Sequence, residues 1–197
     1  MGGRVSLWLE VRVAAAPSHG CRPVSVVERR VIIWVVLIRP TRADDWGAIW
    51  PVFQQIVAAG ETYAYDRDID EVTARRTWMI DPPGRTVVAT DSSSALHGTA
   101  SMYPNRQGPG SHVASASFMV DPRRAGQGTG RALGEYAVEW ARDSGFKAMQ
   151  FNAVVETNKP AVALWQSLGF TVLATVPQAF DRPTQGYVGL LIMHRFL

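Results

Sequence analysis

Three glycines at alternate positions, Gly126, Gly128 and Gly130, lie within the stretch VDPRRAGQGTGRAL from Val120 to Leu133. An apolar, strand-like run from Ala116 to Val120 leads in, Asp121 and Pro122 turn the chain, and a helical pattern follows. Glycines allow successive backbone N–H groups to point into one concavity, and a helix start adds partial positive charge. The chemistry suggested is the holding of a phosphate or pyrophosphate. A mononucleotide P-loop is excluded, because Arg131 and Ala132 follow Gly130 where Lys and Ser or Thr are required. A dinucleotide fingerprint would need glycine at position 131, and a looser pattern through Gly128, Gly130 and Gly134 lacks a surrounding βαβ repeat. A bare strand-to-helix turn would need fewer glycines.

The sequence V-x-P, a short basic stretch, G-x-G-x-G and an amphipathic helix resembles the acetyl-CoA loop of the GCN5-related N-acetyltransferases, the GNAT superfamily. A second motif downstream supports the resemblance: Asn158, Ala161, Leu164, Trp165, Leu168, Gly169 and Phe170 reproduce the pattern N-x-x-A-x-x-L-(Tyr/Trp)-x-x-L-G-F. The two together cover a domain from about Val35 to Leu197. The resemblance implies acetyl-CoA as co-substrate. It implies that backbone groups of Phe118, Met119 and Val120 meet the pantetheine amides. Ala125, Gly126, Gln127, Gly128, Thr129, Gly130 and Arg131 would supply N–H groups to the pyrophosphate. Ala125 stands where the motif usually begins with Arg or Gln, a change that preserves the amide but removes a side chain.

Transfer of an acetyl group to an amine needs a neutral amine, donors for the developing oxyanion and a proton for the departing thiolate. The strand before the glycine loop, HVASASFMV, has no carboxylate to act as base. His112 reads as a surface histidine, and Glu61 and Glu156 could act only through water. Trp165 occupies the place where the family often has a proton-donating tyrosine; an indole N–H can donate a hydrogen bond but not its proton. Trp165 therefore reads equally as core and as a neighbour of the thioester. QFNAVVETN with HVASASF resembles a narrower group, the acetyltransferases of proline analogues such as azetidine-2-carboxylate. That resemblance implies Asn158 as the catalytic residue, with helix capping as its alternative, and Asn152 in the substrate site. Ser115 stands where that group has asparagine. Tyr63 and Tyr65, in the GETYAYD loop, would close the acceptor pocket or merely pack the loop.

The elements that must position these residues are legible in order. Composition predicts one domain: 197 residues, 47% hydrophobic, with a mild net charge of +3 that implies no nucleic-acid partner. A single cysteine, Cys21, excludes an intrachain disulfide and fits a cytoplasmic enzyme, and no Cys/His cluster implies a metal. Residues 1–30 lack periodicity and read as a flexible N-terminal extension, leaving 31–197 as the acetyltransferase domain. Val31 to Ile38 is too short to cross a bilayer and long enough for a buried strand. A helix follows from Trp46 with Pro51 kinking it or confined to its first turn, then a shorter one over Ile69 to Met79. Strands are expected at Arg85–Thr90, Leu96–Tyr103 and His112–Val120, a helix at Gly130–Asp143, a strand at Met149–Val155 and a helix at Asn158–Leu168. Thr171–Val176 and Tyr187–Arg195 would close the sheet. The order implies an α/β (α+β) GNAT fold: a mixed, mostly antiparallel sheet flanked by helices, its central strands splayed. The expected acceptor is a small-molecule amine, an amino acid or proline analogue; the alternatives are a peptide N-terminus as acceptor and, given the missing carboxylate and tyrosine, a non-catalytic acyl-CoA-binding or regulatory domain. The resemblance leaves a homodimer open.

Overall fold

The computed structural model describes residues 4–6 and 36–197. The expected extension, apart from Arg4 to Ser6, and the first five residues of the expected strand at 31–38 lie outside the described residues.

Eight strands form one sheet in the order β1-β2-β3-β4-β5-β6-β8-β7. β1 (Arg4–Ser6) lies antiparallel on β2 (Val36–Pro40), so part of the stretch expected to carry no sheet element pairs with the sheet edge. β3 (Arg85–Thr90), β4 (Leu96–Pro104) and β5 (Val113–Val120) make the expected meander. β6 (Ala148–Val155) is parallel to β5 and antiparallel to β8 (Gly186–Phe196), which carries the edge strand β7 (Thr171–Arg182).

Alternation along the strands divides the core between two faces. On one face, α1 (Trp46–Ala59) and α2 (Glu71–Trp78) bury Trp46, Ile49, Phe53, Val57 and Trp78 against Val88 and Met119. On the other, α3 (Thr129–Asp143) and α4 (Lys159–Ser167) bury Leu133, Ala137, Trp165 and Leu168 against Val87, Ala100, Ala114 and Phe151. Gly134 sets the α3–α4 approach: a Cβ there would lie 2.7 Å from Leu168 Cδ1 and 2.9 Å from Trp165 Cζ3.

Two expectations are corrected. Pro51 lies inside α1, not in its first turn, and the helix continues past it. The residue four places back, whose carbonyl a proline ring crowds, is the exposed Gly47, which has open space around it. β7 runs six residues beyond the expected Val176, through Pro177 and through Gln178 at φ 52°. The pairing with β8 shifts register between Val176 and Phe180, and an edge-strand irregularity is where a missing N–H and a left-handed residue are tolerated.

Candidate active site

β5 and β6 pair at only two positions, Val113 with Ala148 and Ala114 with Met149, and then part. Both run toward their C-terminal ends as they diverge, so α3, after β5, and α4, after β6, start at the mouth of the opening. The expected splay is present. Asp121 N–H donates to the His97 carbonyl of β4 at 2.9 Å, and the antiparallel alternation then turns the backbone groups of Met119 toward β4 and those of Phe118 and Val120 toward the opening. Of the three residues expected to meet pantetheine, Phe118 and Val120 thus present backbone groups to the gap.

Phe118 does not leave its groups unpaired. The Tyr63 hydroxyl accepts from Phe118 N–H at 3.0 Å and donates to the Phe118 carbonyl at 2.5 Å. The Tyr63 ring stacks on Tyr65, with centroids 5.6 Å apart and planes at 2°, and meets Trp78 edge-on at 6.2 Å. Burial, and secondarily the neighbouring Tyr65 phenol, push the Tyr63 hydroxyl far above the ordinary tyrosine range. Burial also raises Tyr65 to about 12, with Tyr103 adding to the effect. Both phenols are neutral donors at any working pH.

The glycine loop leaves a helix start uncovered. Gly126 (φ 77°) and Gly128 (φ 82°) lie in the left-handed region that favours glycine, and Gly128 is the N-cap of α3 with no side-chain cap. The first helical N–H groups, from Thr129 onward, therefore lack the usual capping acceptor. Thr129 Oγ1 and Gln127 Oε1 are buried without a hydrogen-bond partner. Gly130 needs no special conformation: a Cβ there would meet Leu164 and Val120 only at 3.5 and 3.8 Å, so the fold itself does not demand a bare position. A phosphate seated on these N–H groups fits the uncapped helix start and can accept from the Thr129 hydroxyl.

The arginines beside the loop brace it. Arg123 binds the buried carboxylate of Asp121 through Nε and Nη2, the latter at 2.8 Å, and holds it below the usual carboxylate range. Arg124 reaches Asp91 at 3.2 Å and His97 Nε2 at 2.5 Å. Hydrogen bonds from Ser93, then His97, keep Asp91 strongly acidic. Arg131 turns its side chain to Ser167 Oγ at 2.7 Å, leaving its backbone N–H at the helix start.

The α1/α2 side is the face expected to take the acceptor. Ser115 is buried there opposite Tyr103 in register, and Tyr103 Oη lies 3.4 Å from Ser117 Oγ. Asn152 sits at an irregularity of β6, donating to Asn105 Oδ1 at 2.6 Å and accepting from Gln150 at 2.8 Å. A cavity of about 400 Å³ lies between the loop carrying Tyr63 and Tyr65 and the β7–β8 hairpin, lined also by Phe180, Asp181 and Pro183. Arg182, next to the lining residues Asp181 and Pro183, ties the hairpin to the loop by an ion pair to Glu61, which also accepts from Thr184 at 3.0 Å.

The remaining expected residues separate. Asn158 caps α4, but weakly, its Oδ1 accepting from Ala161 N–H at 3.4 Å. Trp165 is core, with its ring 4.7 Å from Phe118 and 4.9 Å from Phe151. Both glutamates are engaged: Glu61 pairs with Arg182, and Glu156 accepts from Gly189 N–H at 2.6 Å. His112 is exposed, beside the Pro109 carbonyl. Sequence reading missed Tyr103, Ser117, Asn105 and Arg182. Strand alternation placed the first two on one face, but the Asn105–Asn152 and Glu61–Arg182 contacts join residues far apart in the chain and carried no local signal.

The acetyltransferase (GNAT) family model matches residues 50–170. The chain is 30% identical over 144 residues to the L-amino acid N-acyltransferase MnaT of Escherichia coli, covering 72% of this chain and 83% of that one. It is 32% identical over 111 residues to the N-acetyltransferase aca1 of Schizosaccharomyces pombe, covering 56% of this chain and 53% of the relative, about half its length. Among solved structures, a GCN5-related N-acetyltransferase from Kribbella flavida is 56% identical with a TM-score of 0.80, over 82% of this chain and 98% of that one. A structure of yncA from Salmonella typhimurium with its cofactor acetyl-CoA is 26% identical with a TM-score of 0.70, over 82% and 94%.

Proposed function

The chain belongs to the acetyltransferase (GNAT) family, acyltransferases with acetyl-CoA as co-substrate, and on that premise we propose that it acetylates the amino group of a small amino acid. The observation that carries the reading is the parting of β5 and β6 after two residue pairs, at the end where the uncapped start of α3 opens. The pyrophosphate rests on the N–H groups from Gly126 to Arg131, without the expected Ala125, whose N–H donates to the Pro122 carbonyl at 3.4 Å, and the pantetheine arm enters the parting past Val120 and Phe118. The amine approaches from the opposite face, beneath Tyr63, Tyr65 and Tyr103 and beside Asn152. The cavity of about 400 Å³ that Tyr63 and Tyr65 line against the β7–β8 hairpin suits a small acceptor. The L-amino acid N-acyltransferase relative supports an amino acid in that place.

The chemistry is attack by a neutral amine without a dedicated carboxylate base. A peptide-like α-amino group with a pKa of about 8 is roughly a tenth neutral at pH 7, a cost of about 1.4 kcal/mol. A more basic amine with a pKa of about 10 is neutral to roughly one part in a thousand, a cost of about 4 kcal/mol that desolvation and hydrogen bonds to the neutral form offset. Asn158, at the start of α4 beside the mouth, orients the amine and the tetrahedral intermediate by hydrogen bonds. The test is release of free CoA from acetyl-CoA across amino acids, cyclic imino acids, polyamines and N-terminal peptides. Turnover of amino or imino acids is expected. Acetyl-CoA binding with no turnover on any amine would overturn the proposal, and turnover confined to peptides would redirect it to a protein acceptor.

A further inference from the structure

The Tyr63 hydroxyl meets both backbone groups of Phe118, at 3.0 Å from the N–H and 2.5 Å from the carbonyl, inside the parting of β5 and β6. One hydroxyl there makes the two hydrogen bonds that a bound ligand would make with a carbonyl oxygen and an N–H. Acetyl-CoA carries both, a thioester carbonyl and pantetheine amides. Its entry therefore takes over Phe118, and the Tyr63 hydroxyl is released a short distance from the incoming oxygen.

We propose that Tyr63 is a catalytic residue whose hydroxyl, together with Phe118 N–H, donates to the acetyl carbonyl oxygen; this rests on the reading that acetyl-CoA occupies the parting. Three features of the site support it. The Tyr63 ring is held by stacking on Tyr65 and by the edge of Trp78, which deliver the hydroxyl from the acceptor face, where the amine arrives. Trp165, at the position the motif gives to tyrosine, is packed into the core on the other face against Phe151 and Leu168, so the phenol for this site comes from a different element. Burial keeps the Tyr63 phenol neutral, so it donates a hydrogen bond and retains its proton.

In the step itself the amine lone pair forms the C–N bond as the carbonyl π pair moves onto oxygen, where Phe118 N–H and Tyr63 O–H converge. Collapse re-forms the C=O bond and breaks the C–S bond. The sulfur leaves with its electron pair and takes the proton lost by the ammonium, giving amide and free CoA with no change at Tyr63. The Phe118 carbonyl, vacated by the phenol, accepts a pantetheine N–H.

Two measurements on Tyr63→Phe in the full chain test this. Acetyl-CoA affinity by calorimetry should be unchanged or tighter, because no phenol has to be displaced, while kcat falls roughly 100-fold. Infrared spectra of bound acetyl-CoA labelled with ¹³C at the thioester carbonyl should show a lower stretching frequency in the wild type than in Tyr63→Phe, since two donors polarise the bond more than one. Equal frequencies in the two proteins, or a kcat within twofold of wild type, would overturn the assignment. The infrared comparison needs no amine, so failure of every acceptor would count against the proposed function and leave the Tyr63 result to stand alone.

Discussion

At the scale of single residues, Asn158 shows how one side chain can hold two explanations that a suitable pair of variants separates. Its cap to Ala161 is long, at 3.4 Å, so its loss should cost less than the usual ~1 kcal/mol of a good N-cap. Asn158→Ser retains a capping oxygen; Asn158→Ala does not. If Asn158 orients the amine and the intermediate, both variants should lower kcat, by roughly 10- to 100-fold for the loss of one well-placed hydrogen bond, with acetyl-CoA affinity kept. Steady-state kinetics beside a thermal melt checks this. Full activity in Asn158→Ser with a destabilised Asn158→Ala would return the residue to capping. The motif singled out Asn158, yet an asparagine before a helix also carries a capping signal, so spacing alone did not separate the roles.

Elements make the glycine loop and the frame around it. Gly128→Val would force a β-branched residue to φ 82°, costing about 1–3 kcal/mol of local strain, and the loop would move rather than accept it. Acetyl-CoA affinity should fall at least tenfold while the core remains folded, as calorimetry and near-ultraviolet circular dichroism would report; unchanged affinity would remove the pyrophosphate from this loop. The start of α1 depends on Asp45, which receives the Arg39 guanidinium in a two-bond fork at 2.7 Å and the Arg42 N–H at 2.6 Å. Arg39 lowers the Asp45 pKa. A carboxyl depressed in the folded state contributes its full stability above the unfolded value near ~4 and loses it as the pH falls through the folded value. Asp45→Asn should therefore cost about 2 kcal/mol at pH 7, a charge-assisted contribution, and less near pH 2. Urea melts at the two pH values would show it, and an equal loss at both would mean that the ion pair contributes nothing. The glycine pattern was legible in the sequence because a left-handed turn selects glycine locally. The tolerance of Pro51 was not, because it depends on which residue lies four places back and whether water reaches that carbonyl.

For the whole molecule, closure of the side proposed to take the acceptor joins the α1–α2 loop to the hairpin of the last two strands through Glu61 and Arg182, across more than a hundred residues of sequence. Glu61→Gln should loosen that closure by about 1.4 kcal/mol and so raise the KM of the amine roughly tenfold, leaving the KM of acetyl-CoA as it was. Initial-rate kinetics with each substrate varied in turn would test it; an equal rise in both constants would mean that the hairpin supports the whole fold rather than the acceptor cavity. Among the described residues no helix is long and apolar enough to cross a membrane and no group of three or more His, Cys, Asp or Glu could hold a metal.

The order of elements from β2 onward, the glycine loop ahead of α3 and the position of the helix-starting asparagine were determined by the sequence alone, because periodicity, turn chemistry and alternate glycines act over neighbouring residues. What only the tertiary structure decided is which distant groups share one space. The Tyr63 hydroxyl reaches Phe118 across 55 residues, Asn105 meets Asn152 across 47, and Arg182 meets Glu61 across 121. Such contacts are set by how two strands part and two loops fold over one sheet face. Sheet packing fixes them, and no local pattern in the chain encodes them.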